Sequence, residues 1–304
     1  MAKFRYPTGV RALLVDETAR RRSLEGRFVA ALERNGFAEI VLPIIDYLEP
    51  YAPLVGRDAA KQSYRFVDRE GELVAIRSDF TPMVARALAP VVTSDELPLR
   101  VFYRGDVIRC DASRLGVNRE LFQVGAEIIG DASPQCDAEV LRVAAAIARE
   151  LGHRPLVIYN DVAIAEAVID ACGAYGAEVR SALVAKRSAD LAALRDQVDG
   201  EALALARKLA DATATLDDVR AFAPTRAAAE RLAATAALLE PDAFVLQLDD
   251  VDDSAGYYTG LRFRLYAGAQ RLRIAQGGRY DTLYRRFGND AAAIGFTFTV
   301  DDLD

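Results

Sequence analysis

The chain has 304 residues, 52% of them hydrophobic, enough for one large domain or two modest ones with a substantial core. No run approaches the roughly 18 consecutive apolar residues of a membrane span, and the opening MAKFRYPTGVRALL lacks an apolar signal core, so a cytoplasmic protein is expected. A net charge of −7 disfavours broad binding to nucleic acid, the widely spaced Cys110, Cys136 and Cys172 argue against a disulfide framework or a zinc site, and His153 alone leaves little for histidine-based catalysis or metal ligation.

Residues 16–36 are predicted as the first helix. Asp16 is its N-cap candidate, Leu24, Phe28 and Leu32 fall on one face, and Asn35-Gly36 is its stop. The apolar run Ile40–Ile45 follows and contains Pro43, which has no N–H to give a ladder. It marks either a self-association surface shared with the helix or an ordinary strand with an edge proline. Tyr64–Val67 and Leu73–Arg77 read as a hairpin turned at Asp68–Gly71. The hairpin delivers RSDFTP, in which Pro82 suits the first position of a helix, Thr81 its N-cap, and Asp79 a loop carboxylate at its N-terminus. These two polar residues either serve a ligand or only cap the helix.

Two strand-like runs around a polar loop occupy Leu99–Gly130. The second alternates strictly, with Phe122, Val124, Ala126 and Ile128 on one face and Arg119, Leu121, Gln123, Gly125, Glu127 and Ile129 on the other. At roughly 3.3 Å per residue, Gln123 and Glu127 stand about 13 Å apart, the span of a small molecule with two polar ends. Arg119 falls beside Arg109 of the partner run. The pattern fits the floor of a small polar ligand site or the wet face of an edge strand.

Asp137–Leu151 is predicted as an amphipathic helix and residues 156–160 as a strand. Residues 161–240 turn alanine-rich and helical, with breaks near Gly173–Gly176, at Asp199-Gly200 and at Pro224, which suggests an inserted helical subdomain. Strands return at 244–250, at a run where Leu261, Phe263 and Leu265 alternate with Arg262, Arg264 and Tyr266, at 271–283, and in the closing AIGFTFTVDDL. Gly277-Gly278, ahead of an expected helix, would leave backbone N–H groups open to a ligand, although a tight strand-to-helix turn needs the same residues.

The ordered motifs RSDFTP, LRVFYRGDVIR, NRELFQVGAEIIG, GYYTG, QGGRYDTL and IGFTFTVDDL resemble, over essentially the whole chain, the catalytic core of class II aminoacyl-tRNA synthetases, histidyl-tRNA synthetase in particular. The resemblance implies an α+β fold: a mixed, mostly antiparallel sheet flanked by helices, one core domain over residues 1–304 with 161–240 inserted, and no anticodon-binding domain. By position it implies that Asp79 and Thr81 bind the amino acid, that Arg109 is the phosphate arginine, and that Gln123 and Glu127 contact histidine. Tyr257-Tyr258 and Gly277–Asp281 match the two histidine-specific signatures.

The departures from that family bear on function. Asp253 stands where the synthetases place an arginine four positions before the Tyr-Tyr pair, Asp302 where they place the ATP-contacting arginine of the third motif, and Val117, aligned by Gly116, where a basic residue is usual. Carboxylates in place of preorganised cations oppose phosphoryl chemistry. The combination resembles the synthetase paralogues that serve as regulatory subunits of short-form ATP phosphoribosyltransferase. That resemblance implies no catalysis and no cofactor, histidine as effector, the catalytic subunit as partner, and a dimer within a hetero-octamer, with no membrane or tRNA partner. Arg109 and Arg119 keep one alternative open, a truncated synthetase-like ligase that still adenylates an amino acid.

Overall fold

The computed structural model describes residues 6–52, 63–110, 118–251, 256–268 and 272–303. Helix α1 (Val15–Arg34) starts one residue before the prediction, because the Glu17 carboxylate, and not Asp16, accepts the Leu14 N–H at 3.3 Å. It stops as expected, with Gly36 at φ +79°. Phe28 and Leu32 are fully buried. The run predicted as one strand is two, β1 (Ala38–Glu39) and β2 (Ile45–Tyr47), and they belong to different sheets. Pro43 lies in the crossing, where no ladder hydrogen bond is asked of it.

Strands β3 (Arg65–Val67) and β4 (Leu73–Ile76) form the expected hairpin, closed by the Gly71 N–H on the Asp68 carbonyl at 3.3 Å. With β2 they make a small antiparallel sheet in the order β2-β4-β3. Helix α2 (Thr81–Leu88) follows, then β5 (Leu99–Ile108) and β6 (Glu120–Ile129). Helix α3 (Pro134–Glu150) begins three residues before the prediction, since Ser133 caps it by accepting the Cys136 N–H at 3.2 Å and Pro134 fills the first turn.

After β7 (Leu156–Asp161) come helices α4 (Val162–Ala171), α5 (Gly176–Ala185), α6 (Gly200–Ala210), α7 (Leu216–Ala221) and α8 (Arg226–Ala236). Three of their four breaks fall at places the sequence marks, with 3₁₀ turns at Gly173–Tyr175 and Ala223–Thr225 and a cap by Asp199 on α6, whereas the break at 211–215, where Thr215 caps α7, is not marked. Strand β8 (Phe244–Leu246) is shorter than expected. Strands β9 (Leu261–Ala267), β10 (Leu272–Arg279) and β11 (Ala293–Thr299) complete the sheet.

The large sheet runs β1-β5-β6-β11-β10-β9-β7-β8, parallel in the pairs at its two edges and antiparallel between them. One face carries Phe122, Val124, Ala126, Phe263, Leu265, Phe296 and Phe298 into a core shared with α1, α3 and the helices between β7 and β8. Strand β6, left open between ligand floor and wet edge, has neighbours on both sides, and its polar face is covered: Gln123 and Glu127 are 5% and 1% exposed. A second apolar cluster on that side, including Phe80, Met83, Val84, Tyr103, Tyr280 and Tyr284, packs α2 over the sheet.

Candidate functional site

Over the polar face lies a small cavity, open to solvent, lined by Asp79, Thr81, Arg109, Gln123, Tyr257 and Tyr258, six of the seven expected ligand residues, together with Gln276, Tyr280, Gly295 and Thr297. Asp79 sits just before α2, and its Oδ1 accepts the Thr81 N–H at 3.2 Å. The N-cap position, which the sequence assigns to Thr81, is Phe80, and Asp79 just before it holds the N–H of the first helical residue. This releases the Thr81 hydroxyl to donate to Glu127 Oε1 at 3.0 Å. The other Asp79 oxygen accepts the Tyr257 hydroxyl at 3.2 Å, tying the Tyr-Tyr segment to α2.

Glu127, the seventh expected residue, lies under the cavity floor. Its carboxylate accepts from Thr81, from Tyr103 at 3.2 Å and from Tyr280, all neutral hydroxyls. Burial pushes its carboxyl up to about 8, with Asp79 adding to the rise and the three hydroxyls opposing it. The phenols of Tyr103, Tyr257 and Tyr280 are pushed well above their ordinary range, by burial first and then by nearby charge, from Glu127 and Asp79 at Tyr103 and Tyr257 and from Glu127 at Tyr280. Glu127 thus has no paired cation and holds its proton at neutral pH, an arrangement in which a ligand bearing a cationic N–H donor would favour the ionised form.

Strand register explains how the floor is braced. Tyr103, Gly125 and Thr297 lie side by side on β5, β6 and β11, and the Tyr103 phenol crosses the glycine to reach Thr297 Oγ1 at 2.7 Å. A Cβ at Gly125 would overlap that phenol, and one at Gly295 would overlap Glu127 Oε2. Tyr103, Gly295 and Thr297 escape the sequence reading, because only the pairing of three strands aligns them. Gly277-Gly278 correct an expectation as well. They lie within β10, flanked by strands on both sides, and side chains there would strike Gly295 and Tyr258, so close packing and not open N–H groups accounts for them.

The phosphate side is thinner. The Arg109 N–H meets the Arg119 carbonyl at 2.8 Å, as neighbouring strands require, but the side chains part. Arg109 Nε donates to the Ser78 carbonyl at 2.9 Å beside the cavity, whereas Arg119 Nη1 donates to the Tyr64 hydroxyl at 2.6 Å and lines no part of it. Asp302 is exposed at the end of the 3₁₀ turn Val300–Asp302, its carboxyl pushed up by partial desolvation and by Asp301. Asp301 fixes that turn, accepting the Phe122 N–H at 2.8 Å and Arg21 Nη2 at 2.7 Å. Asp253, Gly116 and Val117 lie outside the described residues.

The family model for histidyl-tRNA synthetase matches residues 9–303. The ATP phosphoribosyltransferase regulatory subunit of Geobacter sulfurreducens is 32% identical over 97% of this chain and 71% of its own length. That of Carboxydothermus hydrogenoformans is 31% identical over 95% of this chain and 92% of its own. The chain belongs to the ATP phosphoribosyltransferase regulatory subunit family. Membership places it among regulatory subunits of histidine biosynthesis on a histidyl-tRNA synthetase-like fold. A crystal structure from Bacillus halodurans described as an ATP phosphoribosyltransferase regulatory subunit/histidyl-tRNA synthetase shares that fold, with TM-score 0.85 and 22% identity over 99% of this chain and 82% of the other. Apo histidyl-tRNA synthetase of S. aureus gives TM-score 0.69 at 19% identity, over 99% and 72% of the two chains.

Proposed function

We propose that this chain is a non-catalytic subunit that assembles with the short-form catalytic chain of ATP phosphoribosyltransferase, raises its turnover, and passes on inhibition by free histidine. The observation that carries the proposal is the cavity itself: the Asp79 carboxylate at its wall and the buried Glu127 carboxyl under its floor, joined by tyrosines and an amide. The ammonium of histidine suits Asp79, the carboxylate suits Arg109, and an imidazole N–H suits the Glu127 end. Asp302 stands where the ATP-contacting arginine of the third motif is expected, which disfavours adenylation. Calorimetry with L-histidine tests the pocket: saturable heat, weakened in Glu127→Ala, is expected, and no heat at all would sink it. The catalytic chain should co-elute with this one and turn over faster, with histidine reversing the gain. The ligase alternative rests on Arg109, and histidine-dependent ATP–pyrophosphate exchange, expected to be absent, would revive it.

Self-association is proposed through the surface around Pro43. Val41, Ile44 and Val15 are 90%, 60% and 83% exposed, and Ile44 borders the same cleft as Leu13 and Thr18 of the α1 end. Apolar groups left this bare on a soluble chain mark a contact surface.

A further inference from the structure

Consecutive residues at the end of β10 point to opposite sides of the sheet. Tyr280 reaches the cavity and holds Glu127. Arg279, 1% exposed, reaches the helical side and gives Nε and Nη2 to Asp137 Oδ1 at 2.8 and 2.6 Å. Its Nη1 donates to the Asp131 carbonyl at 2.9 Å and to Asp281 at 3.0 Å. Asp281 in turn accepts the Ala293 N–H at 3.1 Å, and its own N–H meets Thr259 Oγ1 at 2.9 Å, one residue past the Tyr-Tyr pair.

Asp137 is fully buried on α3, and its second oxygen accepts Arg231 Nε of α8 at 2.8 Å. One carboxylate thus serves two guanidiniums, one rooted beside the cavity and one on the helical segment. Arg231 is the looser of the two. Its Nη2 is buried and has no hydrogen-bond partner among the described residues, so the Nε bond to Asp137 is what holds the guanidinium, and a shift of α8 that lengthens it changes how Asp137 is shared with Arg279. The start of α4 is attached to the same region, the Val162 N–H meeting the Gly260 carbonyl at 3.0 Å.

We infer that the Arg279–Asp137–Arg231 triad couples the cavity to the helical segment, so that occupation of the cavity tightens the docking of α8, with Arg279 and Arg231 as positioning residues. The inference rests on the proposed histidine pocket. Linkage demands reciprocity: if ligand strengthens α8 docking, loss of α8 docking weakens ligand by the same factor. Hydrogen exchange of the full chain with and without saturating L-histidine, beside calorimetry, tests it. The amides of 226–236 should exchange about fivefold or more slowly with histidine, and Arg231→Met should lose that difference and bind histidine about fivefold more weakly. A residue that only stabilised α8 would raise exchange equally in both conditions and leave affinity alone. Binding of histidine with no change in 226–236 overturns the coupling and leaves the pocket standing. No binding to the parent chain overturns both. Should Arg231→Met fail to fold, the exchange measurement on the parent chain decides, and Arg231→Lys, which keeps the charge, supplies the affinity.

Discussion

Replacing Glu127 by Gln should make the stability of the protein less dependent on pH, in a direction fixed by the site. The carboxyl sits at about 8 in the folded chain against an ordinary 4.5, because burial strips it of water and its three donors are neutral. Between those values the native state holds a proton that the unfolded chain has lost, so stability falls as pH rises and levels off above about 8. At roughly 1.4 kcal/mol per pH unit the loss reaches up to about 5 kcal/mol. Glutamine keeps the shape, cannot ionise and avoids the loss. Urea midpoints of parent and Glu127→Gln at pH 5, 7 and 9 should therefore diverge, near parity at pH 5 and several kcal/mol in favour of the variant at pH 9. Other carboxylates titrate in both proteins and cancel in the difference. Parallel curves would show that Glu127 is solvated or neutralised in the folded state, and the electrostatic account of the pocket would go with it.

Three further substitutions probe the surroundings. Gly295→Ala sets a methyl against Glu127 Oε2 and should cost about 1–3 kcal/mol in chemical denaturation while abolishing the calorimetric response to histidine. Asp137→Asn strands the buried Arg279 guanidinium and takes the charged partner from the half-buried Arg231, and should destabilise by about 3–5 kcal/mol, where unchanged stability would mean that the triad is solvated. Val41→Asp, at a 90% exposed position, should leave the melting temperature within a few degrees but shift light-scattering mass from dimer towards monomer if the Pro43 surface is the self-association face.

What the sequence displays of this site follows the range of the physics involved. The alternation along β6 is visible because period two is a property of one strand, so Phe122, Val124, Ala126 and Ile128 could be assigned to the core and Gln123 and Glu127 to the other face. Whether that face was floor or wet edge was not visible, since the answer lies in β5, β11 and α2 covering it. The brace of Tyr103 on Thr297 joins residues 194 apart and the bond of Arg279 to Asp137 joins residues 142 apart, and no local pattern pairs them. At α2 the cap falls at Phe80 and the Thr81 hydroxyl goes to Glu127, 46 residues away, which no local pattern shows. Pro43 was legible as an interruption but not as the point where the chain leaves one sheet for another.

The same carboxyl sets the pH window in which histidine should bind. Free imidazole loses its proton near 6.5, and Glu127 holds one up to about 8. Between these values the two partners bring one titratable proton in total, the number an imidazolium–carboxylate pair needs, so binding neither takes up nor releases one. Below about 6.5 the ligand brings its own proton as well, one must leave, and affinity falls by up to about tenfold per pH unit. Above about 8 neither partner brings one, the pair must take one from water, and affinity falls again. A carboxyl of ordinary acidity would place the plateau between 4.5 and 6.5 instead, so burial of Glu127 moves the optimum up to neutral pH. Titration of the ligand ammonium affects parent and Glu127→Gln alike, and the ratio of their histidine dissociation constants across pH 6 to 9.5 isolates the Glu127 contribution. That ratio should worsen for the parent above pH 8. A flat ratio across the range would show that imidazole is held by Gln123 and the tyrosines alone and that Glu127 only braces the sheet.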